Sequence, residues 1–162
     1  MGGIGIISDT HDNVKNVLKA VKLFKVHKVD FVVHCGDIVA PKTIRFFKGL
    51  KMKFVRGNCD GDSEMITEIC NEEGHEYLGE VGEIELNEKH IGAYHGHNQS
   101  VIEEMIRSKR YDYILTGHTH KKTIERFDQT VMINPGGHYF GDEGTIAILN
   151  YKNGDIRFIK LR

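Results

Sequence analysis

Apolar positions in the first half of the chain alternate between short unbroken runs and helical rows. Gly3-Ile4-Gly5-Ile6-Ile7-Ser8 and Asp30-Phe31-Val32-Val33-His34 are nearly continuous apolar stretches, the pattern of strands covered on both faces in a parallel sheet. Between them Val14, Val17, Leu18, Val21 and Phe24 recur at helical spacing, with Lys15, Lys19, Lys22 and Lys25 mostly on the other side. This predicts an amphipathic helix with Asp12 as its N-cap. Pro41 suits the first turn of a short helix carrying Ile44, Phe46, Phe47 and Leu50. Phe54-Val55 then makes another strand, and residues 62–72 a helix turning Met65, Ile66, Ile69 and Cys70 inward.

The second half has a different texture. Residues 83–86 and 90–94 read as a hairpin joined by Asn87-Glu88-Lys89, the row Val101, Ile102, Met105 and Ile106 as a helix, and Tyr113-Ile114-Leu115 as a strand. Short strands follow at 122–127, 131–133, 145–150 and 156–161, with Asn153-Gly154 as a hairpin signal between the last two. No linker, repeat or low-complexity tract interrupts the pattern, so residues 1–162 are read as one α/β domain with helices outside two packed sheets.

A chain of 162 residues with 40% hydrophobic positions can bury a core without disulfides or a structural metal. Its 22 basic and 23 acidic side chains leave a net charge of −1, so binding to nucleic acid or an anionic membrane surface is not expected. No apolar run approaches the roughly 20 residues needed to cross a bilayer. The start, Met1-Gly2-Gly3-Ile4, shows no basic region followed by a long apolar stretch, so secretion is not expected, and Ile6 stands where a myristoylation motif requires Ser or Thr. Cys35, Cys59 and Cys70 make an odd count without CxxC spacing, which argues against a disulfide framework or zinc ribbon and for a cytoplasmic setting.

Polar clusters fall just after the predicted strands: Asp9 with His11, Asp37, Asn58 with Asp60, His95 with His97, and His118 with His120. Neutral imidazole is the commonest transition-metal ligand near pH 7. On a straight strand the two residues of a His-x-His pair share one face about 6.6 Å apart, and a turn draws their rings closer to one point. Gly96 inside the first pair and Gly117 before the second permit such a turn. Two carboxylates, an amide oxygen and three to four imidazoles exceed the roughly three protein ligands of a catalytic zinc. They suit two divalent ions about 3.5–4 Å apart that share a carboxylate. Water held between two cations loses a proton near neutral pH, and the same ions clamp phosphate oxygens, so a phosphate ester is the matching substrate. Other polar residues take plainer readings. Asp60 supports its loop, Arg56 is an exposed charge, Cys35 is buried, and Gly136-Gly137 form a turn. His27, His34, His75, His90 and His138 are structural or solvated.

Asp9-x-His11, Gly36-Asp37, Gly57-Asn58-Cys59-Asp60, His95-Gly96-His97 and Gly117-His118-Thr119-His120 resemble, in order and strand context, the successive motifs of the calcineurin-like metallophosphoesterases. Within that superfamily the chain is similar to the small YfcE-like phosphodiesterases, from Asp9 to Asn134-Pro135-Gly136-Gly137. The resemblance implies a four-layer α/β/β/α sandwich, two packed mixed sheets flanked by helices, with a binuclear centre at one edge. It implies that Asp9, His11 and His120 hold one ion, that Asn58, His95 and His118 hold the other, and that Asp37 bridges them. Manganese is the usual ion of this branch, with nickel, iron and zinc as alternatives. Many relatives carry His directly after the Asn as proton donor to the leaving group. Here Cys59 stands there, which leaves Cys59 or His97 for that task. The implied function is phosphodiester hydrolysis of small phosphate esters by a metal-bridging hydroxide, acting at Asn58 and His97. The alternative is a non-catalytic binding scaffold, as in the related retromer subunit, which departs from the pattern at the first-motif histidine whereas His11 is intact here. Pairing of exposed hairpins into a homo-oligomer is left open.

Overall fold

The computed structural model describes residues 2–138 and 144–162. Four parallel strands carry the first half: β1 (Gly3–Ile7), β2 (Phe31–His34), β3 (Met52–Phe54) and β4 (Glu76–Tyr77). Two later strands extend this sheet, β10 (Thr145–Asn150) antiparallel beside β1 and β11 (Asp155–Lys160) antiparallel beside β10, giving the order β11-β10-β1-β2-β3-β4. The second sheet comprises β5 (Val81–Leu86), β6 (Lys89–Tyr94), β7 (Tyr113–Leu115), β8 (Thr123–Phe127) and β9 (Thr130–Asn134). Its order is β5-β6-β7-β9-β8, with β6, β7 and β9 parallel and the outer pairs antiparallel. Both sheets are therefore mixed, as expected.

Three apolar cores define four layers. Helix α1 (Val14–Val26), a 3₁₀ helix (Pro41–Phe47) and α2 (Ser63–Glu73) pack on one face of the first sheet through Val17, Phe24, Ile44, Phe47, Ile66 and Ile69. Between the sheets, Ile4, Ile6, Val33 and Val55 meet Ile91, Ala93, Leu115 and Ile133. Outside the second sheet, α3 (Gln99–Arg107) sets Ile102 and Met105 against Tyr94, Tyr111 and Ile114. Because the burial is two-sided, β1, β2 and β7 carry apolar residues at consecutive positions rather than in alternation. Among the described residues no helix is long and apolar enough to cross a membrane.

Several local expectations are corrected. Helix α1 is capped by Asn13, whose side chain accepts from the Asn16 N–H. Asp12 instead accepts from the Ala40 N–H and the Thr43 hydroxyl, tying the first loop to the start of the 3₁₀ helix. Leu18, Phe46 and Met65 are 50%, 43% and 44% exposed rather than inward. Phe46 lies about 120° away from the face that Ile44 and Phe47 share, three residues apart, and so points outward. The hairpin turn is two residues long, Asn87 and Glu88, both left-handed at φ 48° and 63°, so Lys89 already belongs to β6. Strand β4, only two residues long, is too short to leave a periodic signal in the sequence.

Candidate metal centre

The parallel strands of both sheets end at one edge, and their loops carry the candidate ligands. Asp9 follows β1, Asp37 follows β2, Asn58 follows β3, His95 follows β6 and His118 follows β7. Crevices at the carboxyl ends of parallel strands are where open α/β sheets bind ligands. Short backbone bonds lock the loops together: Asp9 N–H to Gly36 C=O (2.9 Å), His11 N–H to Asp37 C=O (3.0 Å) and Gly117 N–H to His95 C=O (2.9 Å).

Local backbone geometry turns the side chains inward. Asp9, His11, Asp37, His118 and His120 all have left-handed φ, between 41° and 68°. Each such residue costs about 1–2 kcal/mol, and strain of this kind collects at functional sites where surrounding structure over-determines it. The left-handed His118 and His120 supply a turn at the second His-x-His pair. In the first pair, Gly96 takes it at φ 104°.

Two buried carboxylates organise the centre. Each uses one oxygen to tether a neighbouring loop and presents the other. Asp9 Oδ2 accepts from the His118 N–H (2.9 Å), while Asp9 Oδ1 lies 3.2 Å from His120 Nε2 and 3.9 Å from His11 Nε2 and His95 Nε2. Asp37 Oδ1 accepts from the Cys59 N–H (2.9 Å), and Asp37 Oδ2 lies 3.3 Å from His95 Nε2 and 3.4 Å from His11 Nε2. Donors each ~2.0–2.2 Å from a shared cation stand roughly 3–3.5 Å apart, and the three separations of 3.2, 3.3 and 3.4 Å fall in that range while the two of 3.9 Å are longer. Asp60 supports the arrangement from behind, accepting from the N–H groups of Asp37, Val39 and Gly57. Glycine is needed at position 57 because a Cβ there would collide with the Asp37 carboxylate.

The donor set fits divalent cations. Asp9 Oδ1 and His95 Nε2 are fully buried and have no hydrogen-bond partner among the described residues, an arrangement that costs free energy unless something binds there. The other ring nitrogen of His95, Nδ1, donates to the Cys35 carbonyl at 2.7 Å. That bond fixes the tautomer and aims the Nε2 lone pair into the cluster, as metal-ligating histidines require. Burial pushes the Asp9 carboxyl up, despite the opposing pull of Ser8, His95 and His120. Burial acts the same way on Asp37, but His95 and the Cys59 N–H outweigh it and hold that group well below the usual range. The same carboxylates raise His95 against the downward effect of its burial. His118 is lowered by burial and by the neighbouring His95.

Five of the predicted ligands therefore gather: Asp9, His11, Asp37, His95 and His120. The His118 ring packs edge-on against His95, with centroids 5.2 Å apart. Asn58 is exposed, its amide nitrogen 3.4 Å from Cys59 Sγ. His97 is also exposed and stands at the rim, with Nε2 3.4 Å from the Tyr94 hydroxyl. Asp60 has the supporting place expected of it, and Arg56 bonds Ser63 Oγ rather than standing free. His34 is structural: it is buried, pairs with Thr10 Oγ1 and accepts from the Gly36 N–H, bracing the first two ligand loops. Tyr94 and Ser8 carried no sequence signal for the site; one holds His97 and the other donates to the Cys35 carbonyl. A cavity of about 760 Å³ beside α3 is lined by Gly96, Thr119, Phe127 and Met132 but by none of the candidate ligands, so it adjoins the cluster without containing it.

Carboxylate and imidazole donors gathered at the strand ends of an α/β/β/α sandwich make a candidate metal centre of the kind hydrolases use. The chain belongs to the calcineurin-like phosphoesterase superfamily, whose domain model matches residues 3–154. It is 37% identical to Phosphodiesterase MJ0936 of Methanocaldococcus jannaschii over 98% of both chains. A solved structure described as a novel archaeal phosphodiesterase superposes with a TM-score of 0.91 at 34% identity, covering 98% of this chain and 99% of that one. The fold alone is shared with the phosphoesterase YfcE from E. coli (TM-score 0.68, 17% identity, covering 99% and 100%) and with Vps29 from Entamoeba histolytica (TM-score 0.66, 16% identity, covering 99% of each).

Proposed function

We propose that residues 1–162 form a single-domain, metal-dependent phosphodiesterase that hydrolyses small phosphate esters at a centre of two divalent cations, with manganese as the working ion. The observation that carries this reading is the convergence of Asp9, Asp37, His11, His95 and His120 around two buried donor atoms that lack hydrogen bonds among the described residues. When bound, such a cation pair supplies a nucleophile at neutral pH and neutralises charge on the phosphate oxygens.

The chain's own residues divide the work. Asp9, His11 and His120 form one donor group, and Asn58, His95 and His118 the other. Asp37 Oδ2 is assigned the bridging place, supported by its near-equal distances of 3.3 and 3.4 Å to His95 and His11. Asn58 contributes a neutral oxygen, which leaves the pair net positive towards an anionic substrate. His97, held at the rim by Tyr94, is assigned proton donation to the departing alkoxide. The three free cysteines and the absence of a membrane-spanning helix among the described residues support work in the cytoplasm.

The purified protein should hydrolyse a chromogenic phosphodiester with added manganese and stop on chelation. Asp37→Asn should remove nearly all of that activity, and a fully active Asp37→Asn enzyme would refute the assignment. The fold shared with Vps29 favours a second reading, a non-catalytic binding scaffold. Inactivity across manganese, nickel, iron and zinc, together with a stable partner complex, would favour that reading instead.

A further inference from the structure

One exposed sulfur atom stands beside the oxygen and nitrogen donors at their His11 and Asp37 corner. Cys59 Sγ, a ring nitrogen of His11 and a carboxylate oxygen of Asp37 all lie within 4.8 Å of one another. The position of Cys59 is fixed from two sides. Its N–H bonds Asp37 Oδ1 at 2.9 Å, and its sulfur meets the Asn58 amide at 3.4 Å. The remaining cysteines are not placed for this: Cys35 and Cys70 are 0% and 1% exposed and belong to the apolar cores. Independently of Cys59, Asp9 Oδ1 and His95 Nε2 are fully buried, have no hydrogen bond among the described residues, and face each other at 3.9 Å across the same cluster.

We infer that Cys59 Sγ is a ligand to the cation held at the His11 and Asp37 corner, giving that position a preference for thiophilic ions such as cadmium, cobalt and zinc. The inference rests on the metal-centre reading above. Thiolate is the soft donor among protein side chains, whereas carboxylate and water suit manganese and magnesium. A His, Asp and Cys corner with an open position therefore differs in selectivity from one built of His and Asp alone. The bond balance is simple. The S–H bond breaks, a sulfur–metal bond forms, one proton leaves to solvent, and nothing is oxidised or reduced. With its sulfur engaged, Cys59 is withdrawn from proton donation, and His97 alone remains for it.

Cobalt(II) titration of the metal-free protein separates the metal centre from its sulfur ligand. Binding at the centre gives visible d–d bands, and sulfur ligation adds a near-ultraviolet sulfur-to-cobalt charge-transfer band. Wild-type protein should show both, and Cys59→Ser should keep the d–d bands and lose only the charge-transfer band. Retained d–d bands also establish that the variant's site is folded. Cadmium affinity should fall about tenfold or more in Cys59→Ser, with manganese affinity nearly unchanged. Absence of d–d bands in the wild type would sink the metal-centre reading itself. Normal d–d bands without a charge-transfer band, a band that survives Cys59→Ser, or an equal loss of cadmium and manganese affinity would overturn the Cys59 assignment alone.

Discussion

Gly117 is the position where one added carbon would test the architecture of the site. A Cβ there would collide with Ser8 Oγ and sit 2.6 Å from Asp9 Oδ2. Neither neighbour has room to retreat. Both are fully buried, Ser8 Oγ donates to the Cys35 carbonyl at 3.2 Å, and Asp9 Oδ2 holds the His118 N–H at 2.9 Å. Restoring an ordinary contact of ~3.5 Å requires a shift of about 1 Å at the Asp9 carboxylate. Misplacement by that much costs roughly 10²-fold in rate, and the overpacking itself about 1–3 kcal/mol of stability. Gly117→Ala should therefore lose about two orders of magnitude in kcat/KM on a chromogenic phosphodiester with manganese. Gly74→Ala is the control. Gly74 is left-handed at φ 73°, and the Cβ that alanine adds there would meet nothing within 4 Å. That substitution costs about 1–2 kcal/mol of backbone strain and leaves the site untouched. Thermal unfolding should show similar losses for the two variants. Equal activity of Gly117→Ala and Gly74→Ala would refute the claim that close approach at position 117 sets the place of Asp9.

Two further outcomes follow from the supporting residues. Asp60→Ala strands the N–H groups of Asp37, Val39 and Gly57; at about 1–3 kcal/mol for each unsatisfied donor, the urea midpoint should fall sharply, and an unchanged midpoint would show the loop to be held by other means. Acid should also unfold the protein early. Burial holds His34 down to about 3 and His138 down to about 4, whereas both take a proton near pH 6.5 in the unfolded chain. Below pH 6.5 the unfolded state binds protons that the folded state refuses, so each residue removes up to about 3 kcal/mol of stability by pH 4. Urea unfolding across pH 7 to 4 checks this, and a flat profile would contradict it.

How much was legible in the sequence varies by element. The helical row of α1 and the apolar runs of β1 and β2 could be read directly, because burial on one or both faces dictates the residue pattern. The exposed Phe46 and Met65 could not, since apolar type alone does not reveal which way a short helix faces. The cap of α1 lies one residue beyond the expected Asp12. Asp12 and Asn13 are both good caps, and the choice fell to the Ala40 and Thr43 groups that claim Asp12 from another part of the chain.

The sequence by itself determined the donor types and their place after strands, because metal chemistry needs those side chains and α/β sheets present ligands at strand ends. It also determined the strand and helix alternation that makes two sheets. Only the tertiary structure decided which of those donors meet. The separation of 3.2 Å between Asp9 and His120, the paired distances around Asp37, and the entry of Cys59 Sγ into the His11 corner all join residues far apart along the chain. Such distances are set by sheet packing and by the left-handed turns at Asp9, Asp37, His118 and His120. Local sequence carries no record of either, because both depend on what the rest of the fold presses against them.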